Sequence, residues 1–152
     1  MTTNPTVTVS GIEDVKEMVR RLERAGIHTM PVFRGIGARM RRIQLNHFKT
    51  QENADGSPWP PLSEATKNRP GRGGDSSEPL KDKGLMFGSI HYQANVGGAI
   101  VGTNDPKARF HNEGGEGDRP PMREFIYLTD NDQNFLVDVL YQRTIKDPIE
   151  GS

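Results

Sequence analysis

The sequence has no cysteine. Disulfides, thiolate nucleophiles and Cys-ligated zinc are therefore excluded. Nor is there an excess of either charge: Lys+Arg and Asp+Glu each number 20 in 152 residues, a formal net charge of zero. A domain that binds nucleic acid through its bulk charge carries a basic surplus, so this balance argues against one. Apolar residues are scarce at 32%, below the usual share even when glycine is allowed for. Such a chain carries long solvated loops or completes its core against neighbours, and both are expected. No apolar run approaches the roughly 20 residues that cross a bilayer. The opening stretch from Met1 to Gly11 lacks the basic-then-apolar order of a signal peptide. The chain reads as soluble and intracellular when made, with no membrane partner.

What is present reads as one α+β domain over 1–152, a small antiparallel β-sheet packed with N- and C-terminal helices around a long central loop. Residues 1–9 form an N-terminal arm, in which Val7 and Val9 alternate as in a short edge strand. Ser10 stands three residues before Glu13, the spacing of a capping box. Ile12, Val15, Val19 and Leu22 follow at helical spacing, which predicts a helix over 11–25, ended by Gly26. Pro31 suits the start of a second helix, expected to run to Glu52. Val32, Ile36, Met40, Ile43 and Phe48 share its apolar face, and Gly35 and Gly37 weaken its early turns by roughly 1 kcal/mol each.

The stretch 53–81 is a long extended loop holding at most a short helix from Ser63 to Lys67, unusual inside a compact domain. Its Pro58 to Leu62 part is stiff and apolar; Pro70 to Ser77 is polar and flexible. The loop is expected to be mobile in an isolated monomer and ordered on assembly. Beyond it, Asp82 to Phe87 predicts a helical turn, and Ser89–Ala94 with Ala99–Thr103 a hairpin. Ala108–Glu113 predicts a short helix stopped by Gly114 and Gly115, and Phe125–Leu128 a third strand. Thr129 or Asp130 caps a last helix, with Phe135, Leu136, Val139, Leu140 and Tyr141 as its buried face. Three strands leave a sheet edge that must be covered or paired.

No complete catalytic constellation emerges. The best group for a metal is His111 with Glu113 and Glu116, but the two glycines between those carboxylates indicate a turn rather than converging ligands. Ser57, Ser63 and Ser89 lie in no nucleophile elbow and are better read as satisfying nearby backbone. Asp130 and Asp132 read as favourable charges at a helix start. Gly71-Arg72-Gly73-Gly74-Asp75 lacks the ending of a phosphate-binding loop and reads as a linker. The chain is thus read as no enzyme, with no cofactor and no metal.

Two features suit binding instead. Trp59, the only tryptophan, is either a plug for the domain's own core or an anchor in a neighbour's pocket. Arg34, Arg39, Arg41 and Arg42, with Lys49, form a basic helix face. Such a face is usually solvated or paired with acids, yet it also suits phosphates or a charged protein joint. A DNA-binding adaptor using the helix 31–52 is the alternative function.

A series of motifs then fixes a resemblance over Phe48 to Leu140. They are Asp55-Gly56-Ser57-Pro58-Trp59-Pro60-Pro61-Leu62, Gly84-Leu85 with Ser89-Ile90, Val101-Gly102-Thr103-Asn104, Ala108-Arg109-Phe110-His111 with Gly114-Gly115, and Arg123-Glu124-Phe125. In this order they resemble the phage virion morphogenesis (tail completion) proteins. The resemblance implies a virion structural protein that completes or terminates the tail and enables head–tail joining. It implies a ring of copies, for which sixfold closure, a hexamer, would match a tail tube. Further implied partners are tail tube or sheath and head-connector proteins, with possible non-specific contact to DNA in the channel. The implied location is the head–tail junction of the virion, after assembly in the host cytoplasm. The candidate interface residues are Trp59, Pro60, Leu62, Arg72, Arg109, His111 and Arg123.

Overall fold

A computed structural model describes residues 5–8, 13–70, 78–81 and 84–143. Among these residues there are six helices and three strands, an α+β fold. The chain opens with β1 (Thr6–Thr8), α1 (Glu13–Arg24) and the long α2 (Met30–Thr50). Two single turns, α3 (Glu64–Lys67) and α4 (Leu85–Gly88), precede the hairpin β2 (Ile90–Asn95) and β3 (Gly98–Thr103). Then come α5 (Ala108–Glu113) and α6 (Asp130–Tyr141). Ser10, Val9, Ile12, the linker around Arg72, and Asp82 with Lys83 lie outside the described residues, as does the side chain of Val15, so the proposed first capping box and the 71–77 loop do too.

The sheet order is β1-β3-β2. The hairpin turns on Val96 and Gly97, with the Gly97 amide donating to Asn95 Oδ1 at 2.8 Å. One strand expectation needs correction. Phe125–Leu128 is not a strand; β1 completes the sheet instead. The amides of 125–127 are engaged by side chains, described below, so no ladder needs them.

Two compact units divide the chain. The first takes in Gln44–Ile90 and Gly102–Tyr127. Its core is aromatic: Phe48 meets Trp59 edge-on at 5.8 Å, Phe87 at 5.4 Å and Phe125 at 5.4 Å between ring centroids. Gln51 ends α2 sooner than the expected Glu52 by turning left-handed, with φ 55°. Its carbonyl then accepts from the Trp59 amide at 2.7 Å, which folds the proline-rich loop back under the helix end.

The second unit comprises Thr6–Ile43, His91–Val101 and the described residues from Leu128 onward. Val19, Leu22, Phe33, Ile36, Met40, Leu136 and Leu140 are buried there. Helix α1 closes with the Gly26 amide on the Glu23 carbonyl and the Ile27 amide on that of Leu22, both at 3.0 Å, a double bond pattern that satisfies orphan carbonyls. Gly37 is more than a weak helical residue. A Cβ there would overlap the Tyr92 ring, so the missing side chain is what lets the hairpin's Tyr92 lie against α2. Thr129 caps α6 through a capping box with Asp132. The expected α6 face also needs correction: Leu136 and Leu140 are buried, but Phe135 is 52% and Tyr141 49% exposed. Five apolar residues cover more of a helix's circumference than one core-facing stripe can use.

Candidate functional site

Three of the sequence motifs, the proline–tryptophan loop, Ala108–His111 with Gly114, and Arg123–Phe125, meet at the segment Arg123–Tyr127 in the first unit, which lies in no strand and bends at Ile126. Its backbone is held almost entirely by side chains from other elements. From the proline-rich loop, Asn53 Oδ1 accepts the Glu124 amide at 2.9 Å, and the Trp59 indole donates to the Glu124 carbonyl at 3.0 Å. From α5, Asn112 Oδ1 accepts two successive amides, Phe125 at 2.9 Å and Ile126 at 3.0 Å. From α2, Gln44 Oε1 accepts the Tyr127 amide at 2.9 Å, and His47 Nδ1 lies 3.1 Å from the Phe125 carbonyl. The His47 ring stacks flat on Tyr127, with centroids 3.8 Å apart, while the Tyr127 hydroxyl donates to the Glu52 carbonyl.

Arg123 reaches back in return. Its side chain is buried, with Nε donating to the Pro60 carbonyl at 2.7 Å and Nη2 to that of Pro61 at 2.9 Å. Proline leaves its carbonyl as its one backbone hydrogen-bonding group, and two in sequence present the acceptors that a planar guanidinium fork needs. Burial pushes the Arg123 guanidinium below its ordinary value. The Arg123 amide meets the His111 carbonyl at 2.7 Å, just before the chain turns at Gly114 (φ 68°). There Met122 backbone occupies the space a Cβ would need, so the α5 turn and this segment close upon each other only with glycine.

The structure therefore brings together Trp59, Pro60, His111 and Arg123. Trp59 is 6% exposed and Arg123 4%, so both spend their polar groups inside the chain. His111 is half-buried, with Nδ1 buried and lacking a hydrogen-bond partner. Burial, and then the nearby Arg123 cation, push its pKa down. Leu62 is half-buried beside this cluster in sequence, and Arg109 places its guanidinium 4.4 Å from the Phe110 ring centre. Arg72 is outside the described residues. On α2, Arg34 and Arg42 are exposed, Arg41 is half-buried, and Arg39 donates to the Gly35 carbonyl at 3.1 Å.

The serines and carboxylates weighed for chemistry have local work. Ser57 sits in a turn with Asp55 and Asn53, Ser63 caps α3 through the Thr66 amide, and Ser89 bonds the Met86 carbonyl and Thr103. Asp132 receives the Thr129 amide and hydroxyl. Among the described residues no three His, Asp or Glu side chains are grouped to hold a metal ion.

Asn53, Asn112, Gln44 and His47 are the residues that sequence reasoning left without a role. Gln44 did carry a signal: it continues the buried Ile36–Met40 series at the next i+4 step, where an apolar residue belongs. Its Nε2 is buried and without a partner, a cost accepted for the Tyr127 bond.

Backbone pinned by polar side chains against a proline–tryptophan loop is thus the distinctive feature of the first unit. The chain is a member of the phage virion morphogenesis family, whose model matches residues 11–144. It is similar to the Mu-like prophage FluMu G protein 2 of Haemophilus influenzae, 30% identical over 133 residues, spanning 84% of this chain and 86% of that relative. No solved structure matches it.

Proposed function

We propose that the protein completes or terminates the phage tail and enables head–tail joining. It acts as a ring of identical copies, most simply a hexamer, at the head–tail junction. Its partners in this reading are other copies, tail tube or sheath proteins and head-connector proteins. The observation that carries the reading is family membership across residues 11–144. The site supports a structural rather than a catalytic role, because its polar groups are consumed in holding backbone.

Electron microscopy of lysates from a phage lacking this gene, with and without complementation, tests the reading. Full heads beside separate tails, rescued by the protein, are expected. Tails of aberrant length would assign termination specifically, and normally joined virions would overturn the proposal. A DNA-binding adaptor is the second reading, favoured by the absence of any acid from α2. Steeply salt-dependent DNA affinity, lost when Arg39, Arg41 and Arg42 become Ala together, would support it.

A further inference from the structure

Two helices, α2 and α6, each carry charge of one sign, although the chain as a whole is neutral. Helix α2 carries Arg34, Arg39, Arg41, Arg42 and Lys49 and no acid. Helix α6 carries Asp130, Asp132 and Asp138 and no Lys or Arg. Each helix also turns part of its charge outward. Arg34 and Arg42 are exposed on α2, with exposed Ala38 midway between them. Asp130 and Asp138 are exposed on α6, with exposed Asn134 midway. Among the described residues, none of these four charges has an ion-pair partner within the chain.

The spacings match. Each pair is eight residues apart, which at an α-helical rise is roughly 12 Å along the axis. Two such helices laid side by side bring both Arg–Asp pairs together at once, with Ala38 and Asn134 small enough between them for close approach. Phe135 and Tyr141 stand on the same exposed side of α6, and aromatic side chains beside a charged pair are the usual anchors of a protein interface.

We propose that the α2 face of one copy binds the α6 face of the next. The partner is a second copy of this chain, and the inference rests on the ring reading above. Two different faces of one molecule that complement each other make a heterologous contact, the kind that propagates into a ring. Duplex DNA fits less well. It would use the arginines but leave unexplained why acids of the same spacing, flanked by exposed aromatics, stand on α6.

The test uses the purified full chain in analytical ultracentrifugation, with duplex DNA binding measured alongside. R34E/R42E and D130K/D138K should each weaken self-association by about a hundredfold or more, since like charges then face each other. R34E/R42E should keep the melting midpoint of the dissociated wild type, because both positions are exposed, and D130K/D138K should lie only a little below it, because Asp130 stands in the first turn of α6. Mixing the two monomeric variants should restore assembly, since every contact is again between opposite charges. The quadruple reversal should also assemble. Wild-type oligomers that survive both reversals would overturn this contact and leave the ring intact. A wild type that stays monomeric at all concentrations would overturn the ring and the contact together. DNA affinity lost in R34E/R42E, with self-association unchanged, would assign the face to nucleic acid instead.

Discussion

Two stretches of this chain are held in opposite ways. The β2–β3 hairpin satisfies its backbone by laddering strand against strand, so its outward side chains His91, Gln93 and Asn95 are exposed. The segment Arg123–Tyr127 lies in no strand, and its amides from Glu124 to Tyr127 end on Asn53, Asn112 and Gln44 side chains. A ladder tolerates many side chains because the backbone does the bonding. A side-chain clamp requires particular residues, and each loss strands a buried amide.

The sharpest way to break the comparison is at the clamp's apolar lid. Trp59→Ala removes a buried indole packed on Phe48 and its bond to Glu124. It should cost about 3–5 kcal/mol, read from chemical unfolding of the monomer. An unchanged midpoint with failed assembly would mean that the ring serves a neighbour rather than this core. Asn112→Ala comes next. Two amides lose their acceptor, and at about 1–3 kcal/mol for each buried group left unsatisfied, roughly 2–6 kcal/mol should vanish. Asn112→Asp keeps an acceptor oxygen and should recover part of the loss. Gln93→Thr on the hairpin should stay within about 0.5 kcal/mol; a larger effect there would erase the distinction between ladder and clamp.

A smaller effect sharpens the hairpin's side. Gly37→Ala drives a methyl into the Tyr92 ring and should cost about 1–3 kcal/mol by overpacking. Tyr92→Ala removes the obstacle, so the two substitutions together should cost clearly less than their sum in a double-mutant cycle. Strict additivity would show that Tyr92 does not rest on that glycine.

The same contrast explains what the sequence made legible. Local signals worked where local physics decides: the Thr129 cap, the Gly114 stop after α5, the short helix capped by Ser63 and the hairpin were all readable. Apolar patterning over Phe125–Leu128 looks like a strand because Phe125 and Ile126 are buried, although the chain bends at Ile126. Patterning reports which side chains are inside, not what receives the amides. The acceptors lie 13 to 83 residues away in sequence, and nothing local to Asn53, Asn112 or Gln44 says which amides they serve. The α6 face failed for the complementary reason, since Phe135 and Tyr141 are apolar but outward. Apolar residues read in sequence as core whether they face inward or outward.

The mildest test concerns His111, the half-buried ring beside the clamp. Burial, reinforced by Arg123, holds its pKa below the ordinary 6.5, while Asp105 opposes the shift. In the unfolded chain the ring takes a proton near that ordinary value; in the folded chain it stays neutral to lower pH. The unfolded state therefore binds more protons as pH falls below about 6.5, and stability declines. The decline from this residue ends once pH passes the folded pKa, and nothing is lost above neutrality. Its slope cannot exceed about 1.4 kcal/mol per pH unit, the value for one proton. His111→Phe removes the titration while keeping a ring of similar shape. Its stability relative to the parent should therefore rise steadily between pH 7.5 and 5, whatever the offset at neutral pH. A constant difference across that range would mean that the folded ring protonates as readily as the unfolded one, and that the Arg123 side of the clamp is open to water.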